Sequence, residues 1–479
     1  MSRRTVLLVT TLAASSLALR ADSMFRGNPA HTGVYESKSP GGLKFKWRFR
    51  SGGSIRSSPA ASGGIVCIGS RDGKLYAADT ATGALKWSFQ TGGDVSSTPA
   101  IVGGVVYFTG GDNRLYALNL ADGRKLWQFE PGAAIPYSYM PAEPRAYDYW
   151  SSSPAVAAST LYVGSRDGHV YALGLDGKLK WKTDMGATIV ASPAVADGVV
   201  YEGDMEGKLF ALDAASGKLR WKARAEGNAF FRGEFQSSPA VAEGMVYIGS
   251  RDGFLYAFDA TNGERKWRFD HKGGWVPTSP AVARGLVFCG SSDGEFVNAV
   301  DAKTGVQKWR WDGKTRVFSS PAVVGDRVYV GTWSGSVIGF QAEDGKIAAM
   351  TGLETAVFSS PEIADGMLYI GSDDGYLYAF EAPPEIKRTE IAIDPKRLDD
   401  YLGEYQLTSG MNCVVTREAN GLQLEVPGQG KSSLFANAED TFFIKGVDVV
   451  LKFRRDPAGK VDQMTLLQSG MEIKMKRVK

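Results

Sequence analysis

SSPAVAEGMVYIGSRDGFLYAFDATNGERKWRFD, residues 237–270, decides the fold. It holds four short apolar or β-rich runs: Pro239-Ala240-Val241, VYIGS at 246–250, FLYAFD at 254–259 and RKWRFD at 265–270. Asp252-Gly253 and Gly263 lie between the later runs, and Asp-Gly and Gly turns accept the positive φ that tight hairpins need. Working outward, the S/T-P-A/E triplet recurs with prolines at 59, 99, 154, 193, 239, 280, 321 and 361. A glycine followed four residues later by tryptophan recurs at Gly83/Trp87, Gly123/Trp127, Gly177/Trp181, Gly217/Trp221, Gly263/Trp267 and Gly305/Trp309. Four strands in roughly 40 residues, radially repeated, predict a β-propeller.

Strand counting predicts how the ring closes. The eighth unit stops at Phe380, before a fourth strand, while one spare tryptophan strand, LKFKWRFR at 43–50, precedes the first unit. The expectation is an all-β chain: an eight-bladed propeller of four-stranded blades over residues 22–382, closed by its N-terminal strand. The tryptophans are read as staples between blades, each burying roughly 150–250 Å².

The unit A-x-D-x-x-[ST]-G-x-x-x-W, as in ALDAASGKLRW (211–221) and AFDATNGERKW (257–267), resembles the tryptophan-docking motif of the pyrroloquinoline quinone (PQQ) propeller superfamily. MFRGNPAHTG at 24–33 is similar to the entry segment of those proteins. The superfamily holds calcium- and PQQ-dependent alcohol and sugar dehydrogenases. It also holds non-catalytic scaffolds of the BamB type, so the fold alone does not choose a function.

Composition narrows the field. The chain has 479 residues, 55 basic and 52 acidic, a net +3 that gives no electrostatic case for nucleic-acid binding. Three scattered cysteines and three separated histidines (His31, His169, His271) offer no zinc site, disulfide scaffold or adjacent-cysteine ring. Gly-Lys-Thr at 313–315 and Gly-Lys-Ser at 430–432 lack the upstream glycine of a phosphate loop, with Lys308 and Glu425 in its place. No calcium set of Glu, Asn and Asp can be assigned. Residues 1–21, with Arg3-Arg4, an apolar stretch and Ala21, have the form of an export signal of Sec or twin-arginine type. No cysteine follows to carry a lipid anchor, and no later segment is long and apolar enough to span a membrane. A periplasmic or secreted location is expected.

The binding face is predicted from strand direction. Fourth-to-first connections and second-to-third turns must share one face, and the two long connections, 131–150 and 223–236, emerge there. They bring Tyr137, Tyr139, Tyr147, Trp150 and Arg232. The residue four before each proline is apolar in every unit and is expected to pack. The next residue varies and is expected to line the funnel, with Arg56, Gln236, Phe318 and Phe358 among its members. Arg71, Arg166, Arg251 and Trp333 sit at turns on the same face. Aromatics with arginine anchor protein or ligand surfaces. The expected function is a non-catalytic scaffold that takes a protein or peptide, such as a cell-envelope component, with no cofactor. The alternatives are a PQQ- and calcium-dependent dehydrogenase and a polysaccharide-binding module.

Residues 383–393 read as a linker. Residues 394–479 read as a small antiparallel β-barrel-like domain, with strands at LDDYLGEYQL, GLQLEV, DTFFIK, VVLKFRRD, KVDQMTLLQ and MEIKMKRV. Tyr401-Leu402-Gly403-x-Tyr405 and FRRDPAGKV resemble the lipocalin-like domain at the C-terminus of β-lactamase-related proteins.

Overall fold

The computed structural model describes residues 22–135, 151–227, 233–383, 389–408, 411–418, 421–426, 430–445, 449–468 and 471–479. Eight four-stranded antiparallel sheets form the propeller, and their innermost strands touch in sequence around a closed ring. Seven sheets are contiguous in sequence, such as Ala240–Ala242, Met245–Gly249, Phe254–Asp259 and Arg265–Asp270. The eighth is composite: Glu362–Ala364, Met367–Gly371 and Tyr376–Glu381 are completed by Lys44–Arg50. That outer strand runs antiparallel to Tyr376–Glu381, pairing Lys44 with Glu381 and Arg50 with Tyr376. The closure expected from strand counting is therefore observed, and it removes an open sheet edge.

Two glycine positions explain how the blades dock. The Trp181 ring lies on Gly217 of the next blade, where an added Cβ would come within 2.5 Å of the ring. Its indole N–H donates to the Ala214 carbonyl at 3.0 Å. The same pairing joins Trp47 to Gly83, Trp87 to Gly123 and Trp309 to Gly345. An alanine stands directly across the ladder from each of these rings, Ala77 opposite Trp87 and Ala211 opposite Trp221, which leaves room for the indole. The second glycine lies at the end of the second strand in seven blades, with Thr109 in its place in the other. Val276 seats against Gly249 and Val317 against Gly290, so the constant apolar residue packs, as expected.

One end of the axis is closed by the entry segment. Residues 22–35 cross one end of the channel and hydrogen-bond to successive inner strands. The Ile101 amide donates to Ser23, Val195 to Pro29, Val241 to Ala30, Val282 to Thr32 and Val323 to Gly33.

The C-terminal domain is a closed eight-stranded antiparallel barrel. Tyr401, Tyr405, Leu451, Phe453 and Met464 form its core. Two strands escaped sequence reading, Met411–Glu418 and Gly430–Ala438. The start of LDDYLGEYQL is corrected: Pro395–Tyr401 is a 3-10 helix, because Asp394 caps it by accepting from the Lys396 amide, and the strand begins at Gly403.

Candidate binding face and axial hub

On the predicted face, an aspartate at the second-to-third turn is a structural clamp in four blades. Asp72 accepts from the Tyr76 hydroxyl at 2.5 Å and from the Gly52 amide at 3.0 Å. Asp112 with Tyr116, Asp167 with Tyr171, and Asp252 with Tyr256 repeat the arrangement. These four carboxylates tie their turns to the connection arriving from the previous blade.

The residue after the second strand's Gly-Ser end is fixed by one further backbone bond to that connection. Arg71 bonds to Ser54, Arg251 to Glu234, Trp333 to Arg316 and Asp373 to Ala356. Equivalent positions therefore ring the face, and their side chains differ: Arg71, Gly111, Arg166, Met205, Arg251, Ser292, Trp333 and Asp373.

Four of the predicted site residues come together where the last two blades meet the first. Phe318 stacks on Phe358 with centroids 5.0 Å apart, and the Trp333 ring stands edge-on to Phe358 at 5.3 Å. The Arg56 guanidinium lies 4.1 Å from the Phe358 centroid and grips Asp373 through two hydrogen bonds of 2.9 and 2.8 Å. Arg316, which sequence reading missed, lies 5.7 Å from the Trp333 centroid. Phe318 and Phe358 are buried, whereas Trp333 keeps 38 % of its surface exposed. The stack is thus a floor, Trp333 is its open element, and Asp373 neutralises Arg56.

The remaining candidates lie elsewhere on the face. Arg251 is buried with its guanidinium 4.0 Å from the Trp275 centroid, Gln236 is buried, and Arg71 and Arg166 are part-exposed. Tyr137, Tyr139, Tyr147, Trp150 and Arg232 lie outside the described residues.

Sequence reading also missed two buried acids. In most blades a serine or threonine hydroxyl near the axis accepts the amide that ends the second strand, as Ser237 does from Gly249 and Thr278 from Gly290. The fourth blade has Ala191 there, and the Glu202 carboxyl accepts the Gly203 amide instead, at 3.0 Å. Glu202 is fully buried, and burial raises its pKa well above the carboxylate range. Glu362 replaces the alanine of the S-P-A triplet in the eighth blade and accepts from the Ser23 hydroxyl at 2.7 Å. Burial raises its pKa to about 8, against the lowering effect of Ser23 and Tyr35. With Tyr35 it lines a recess of about 980 Å³ at the plugged end of the axis.

The hub itself is a ring of hydroxyls. The Ser153 amide donates to Ser192 Oγ, Ser192 to Ser238, Ser238 to Ser279, Ser279 to Ser320, Ser320 to Ser360, Ser360 to Ser58, and Thr98 to Ser153, all at 2.9–3.0 Å. The residue before a repeated proline thus bridges seven of the eight junctions between blades.

Among the described residues, no three histidine, cysteine, aspartate or glutamate side chains converge on one point. No chemical step is derived through a quinone.

These features define a PQQ-like propeller with a varied face and a polar hub. Residues 44–383 match, in four overlapping stretches, the family described as outer membrane protein assembly factor BamB, and the chain belongs to that family. Residues 387–478 match a family described only as a domain of unknown function. No curated protein sequence matches the chain. Similar solved structures include BamB from Moraxella catarrhalis, 21 % identical, covering 71 % of this chain and 99 % of that one at a TM-score of 0.57. A europium-containing methanol dehydrogenase is 14 % identical over 76 % of this chain and 98 % of its own, TM-score 0.62. The quinohemoprotein alcohol dehydrogenase of Comamonas testosteroni is 14 % identical over 80 % and 85 %, TM-score 0.64. At these identities the likeness is one of fold.

Proposed function

We propose that the chain is an exported, non-catalytic scaffold of the cell envelope that binds a protein or peptide on its connection-bearing face. The observation that carries this reading is the Trp333 cluster. An exposed indole rests on a buried Phe318–Phe358 floor, with Arg316 beside it as a cation. A rigid aromatic anchor beside an arginine is the composition of an interface hot spot. Membership of the BamB family favours a protein partner over a glycan. Among the described residues no helix is long and apolar enough to cross a membrane. The C-terminal barrel, read as lipocalin-like, would serve as an accessory interaction domain.

The test is crosslinking in envelope extracts with the intact chain and a Trp333→Ala/Arg316→Ala variant. Partners captured by the wild type and lost by a variant of unchanged melting temperature support the reading. Equal capture by both proteins refutes it. A quinone absorbance on adding PQQ and calcium, with dye reduction by alcohols or sugars, would instead establish the dehydrogenase. Selective retention on a glycan array would establish the polysaccharide reading.

A further inference from the structure

We propose that the hub of the propeller binds a small oxyanion, a carboxylate or a phosphate, between the buried Arg26 guanidinium and the ring of serine and threonine hydroxyls that precede the inner strands. This goes beyond the scaffold reading, which concerns the rim, and does not depend on it.

The demand comes from Arg26. Its side chain is 1 % exposed, and its one protein hydrogen bond runs from Nη2 to the Pro280 carbonyl at 3.0 Å. Nε and Nη1 are buried with no partner among the described residues. No ion pair to this guanidinium is found among the described residues either. A buried cation without a counter-charge, and with donors left unpaired, is costly. His31 lies beside it, fully buried, with its ring directed at the Pro239 carbonyl. Burial and the Arg26 charge keep it neutral. Both residues sit at positive φ, 62° for Arg26 and 56° for His31, a conformation that costs a non-glycine residue about 1 kcal/mol or more. A buried guanidinium with two unsatisfied donors, on strained backbone and beside a buried neutral imidazole, is better explained by a ligand than by packing.

The hydroxyl ring supplies the other half. Pro280 follows Ser279 and Pro239 follows Ser238, so the carbonyls that Arg26 and His31 meet belong to the residues next in sequence to two hydroxyls of the ring. Each hydroxyl that accepts a neighbour's amide has its own proton left to donate. Thr98, Ser153, Ser238, Ser279 and Ser320 each keep about 4 % of their surface open to water, while the entry segment closes the other end. A small oxyanion entering from the open face meets hydroxyl donors first and a fixed positive charge at the floor, the combination that holds oxyanions.

The test measures melting temperature of the full chain in acetate or phosphate against chloride at constant ionic strength. Binding at a hundredfold excess over Kd raises the melting temperature by about 3–5 °C. The response is expected in the wild type and absent in Arg26→Met. A response to acetate alone marks a carboxylate ligand, one to phosphate alone marks a phosphate, and either supports the proposal. No response in the wild type, or an undiminished one in Arg26→Met, overturns it. Should that variant fail to fold, wild-type crystals soaked in selenate decide: a selenium peak within hydrogen-bonding reach of Arg26 Nε or Nη1 supports the site, and its absence refutes it.

Discussion

Replacing Glu362 by glutamine tests the electrostatics of the hub directly. The carboxyl is buried beneath the entry segment, accepts from Ser23, and has its pKa raised from 4.5 to about 8. The folded chain therefore keeps a proton that the unfolded chain releases above pH 4.5. Its stabilising contribution is complete below pH 4.5, declines as pH rises, and is gone above about pH 8. A gap of that size corresponds to roughly 4–5 kcal/mol as an upper limit. In Glu362→Gln the amide oxygen still accepts from Ser23 but cannot ionise, so the decline disappears. The assay is calorimetric melting of both proteins from pH 4.5 to 8.5. His31, whose pKa burial lowers to about 3, destabilises both proteins equally as pH falls below 6.5 and cancels in the comparison. Glu202, also raised by burial, leaves a common residual slope. The variant should match the wild type near pH 4.5 and melt several degrees higher at pH 8. Parallel curves would show that Glu362 is ionised in the fold and would refute the reasoning.

Two further outcomes follow from the repeat. Ala191→Ser combined with Glu202→Ile restores the arrangement of the other blades and removes a buried carboxyl. The double variant should gain about 1–3 kcal/mol at pH 7 by chemical denaturation, and a loss would contradict the substitution argument. Removing residues 22–50 takes away both the axial segment and the outer strand of the eighth sheet; the melting temperature should fall by more than about 10 °C, and an unchanged value would disprove closure by the N-terminal strand.

The propeller was legible because each unit carries its own contacts within a fixed spacing. Gly217 and Trp221 are four residues apart, Asp252 and Tyr256 likewise, and the glycine that each tryptophan ring covers belongs to the next copy of the same motif. The apolar residue four before each proline was readable for the same reason. Four of the proposed face residues converge, but Arg316 and Asp373 were missed, because nothing local marks Arg316 as the partner of the Trp333 ring or Asp373 as the partner of Arg56 from another blade. The hub was invisible. Ser23 and Glu362 meet across 339 positions, and Arg26 and Pro280 across 254. Its faint signals were departures from the repeat, Glu362 in place of alanine and Glu202 in a column that is otherwise apolar or cysteine. In the barrel, Gly430–Ala438 was missed because GKSSLFANA lacks the β-branched alternation that marks a strand.

Those departures separate two kinds of surface on one wheel. At the hub the side chain before each proline is a hydroxyl in all eight units, and a ligand small enough to sit there meets the same donor from every side. At the rim the eight equivalent positions carry arginine, glycine, methionine, serine, tryptophan and aspartate, and only a ligand wide enough to cross several blades can distinguish them. Repetition held constant near the axis is suited to a compact charge, whereas variation at fixed backbone geometry is suited to a macromolecular partner. The two surfaces are tested by different variants, Arg26→Met and Trp333→Ala, and loss of one function with the other retained is the result that this division requires.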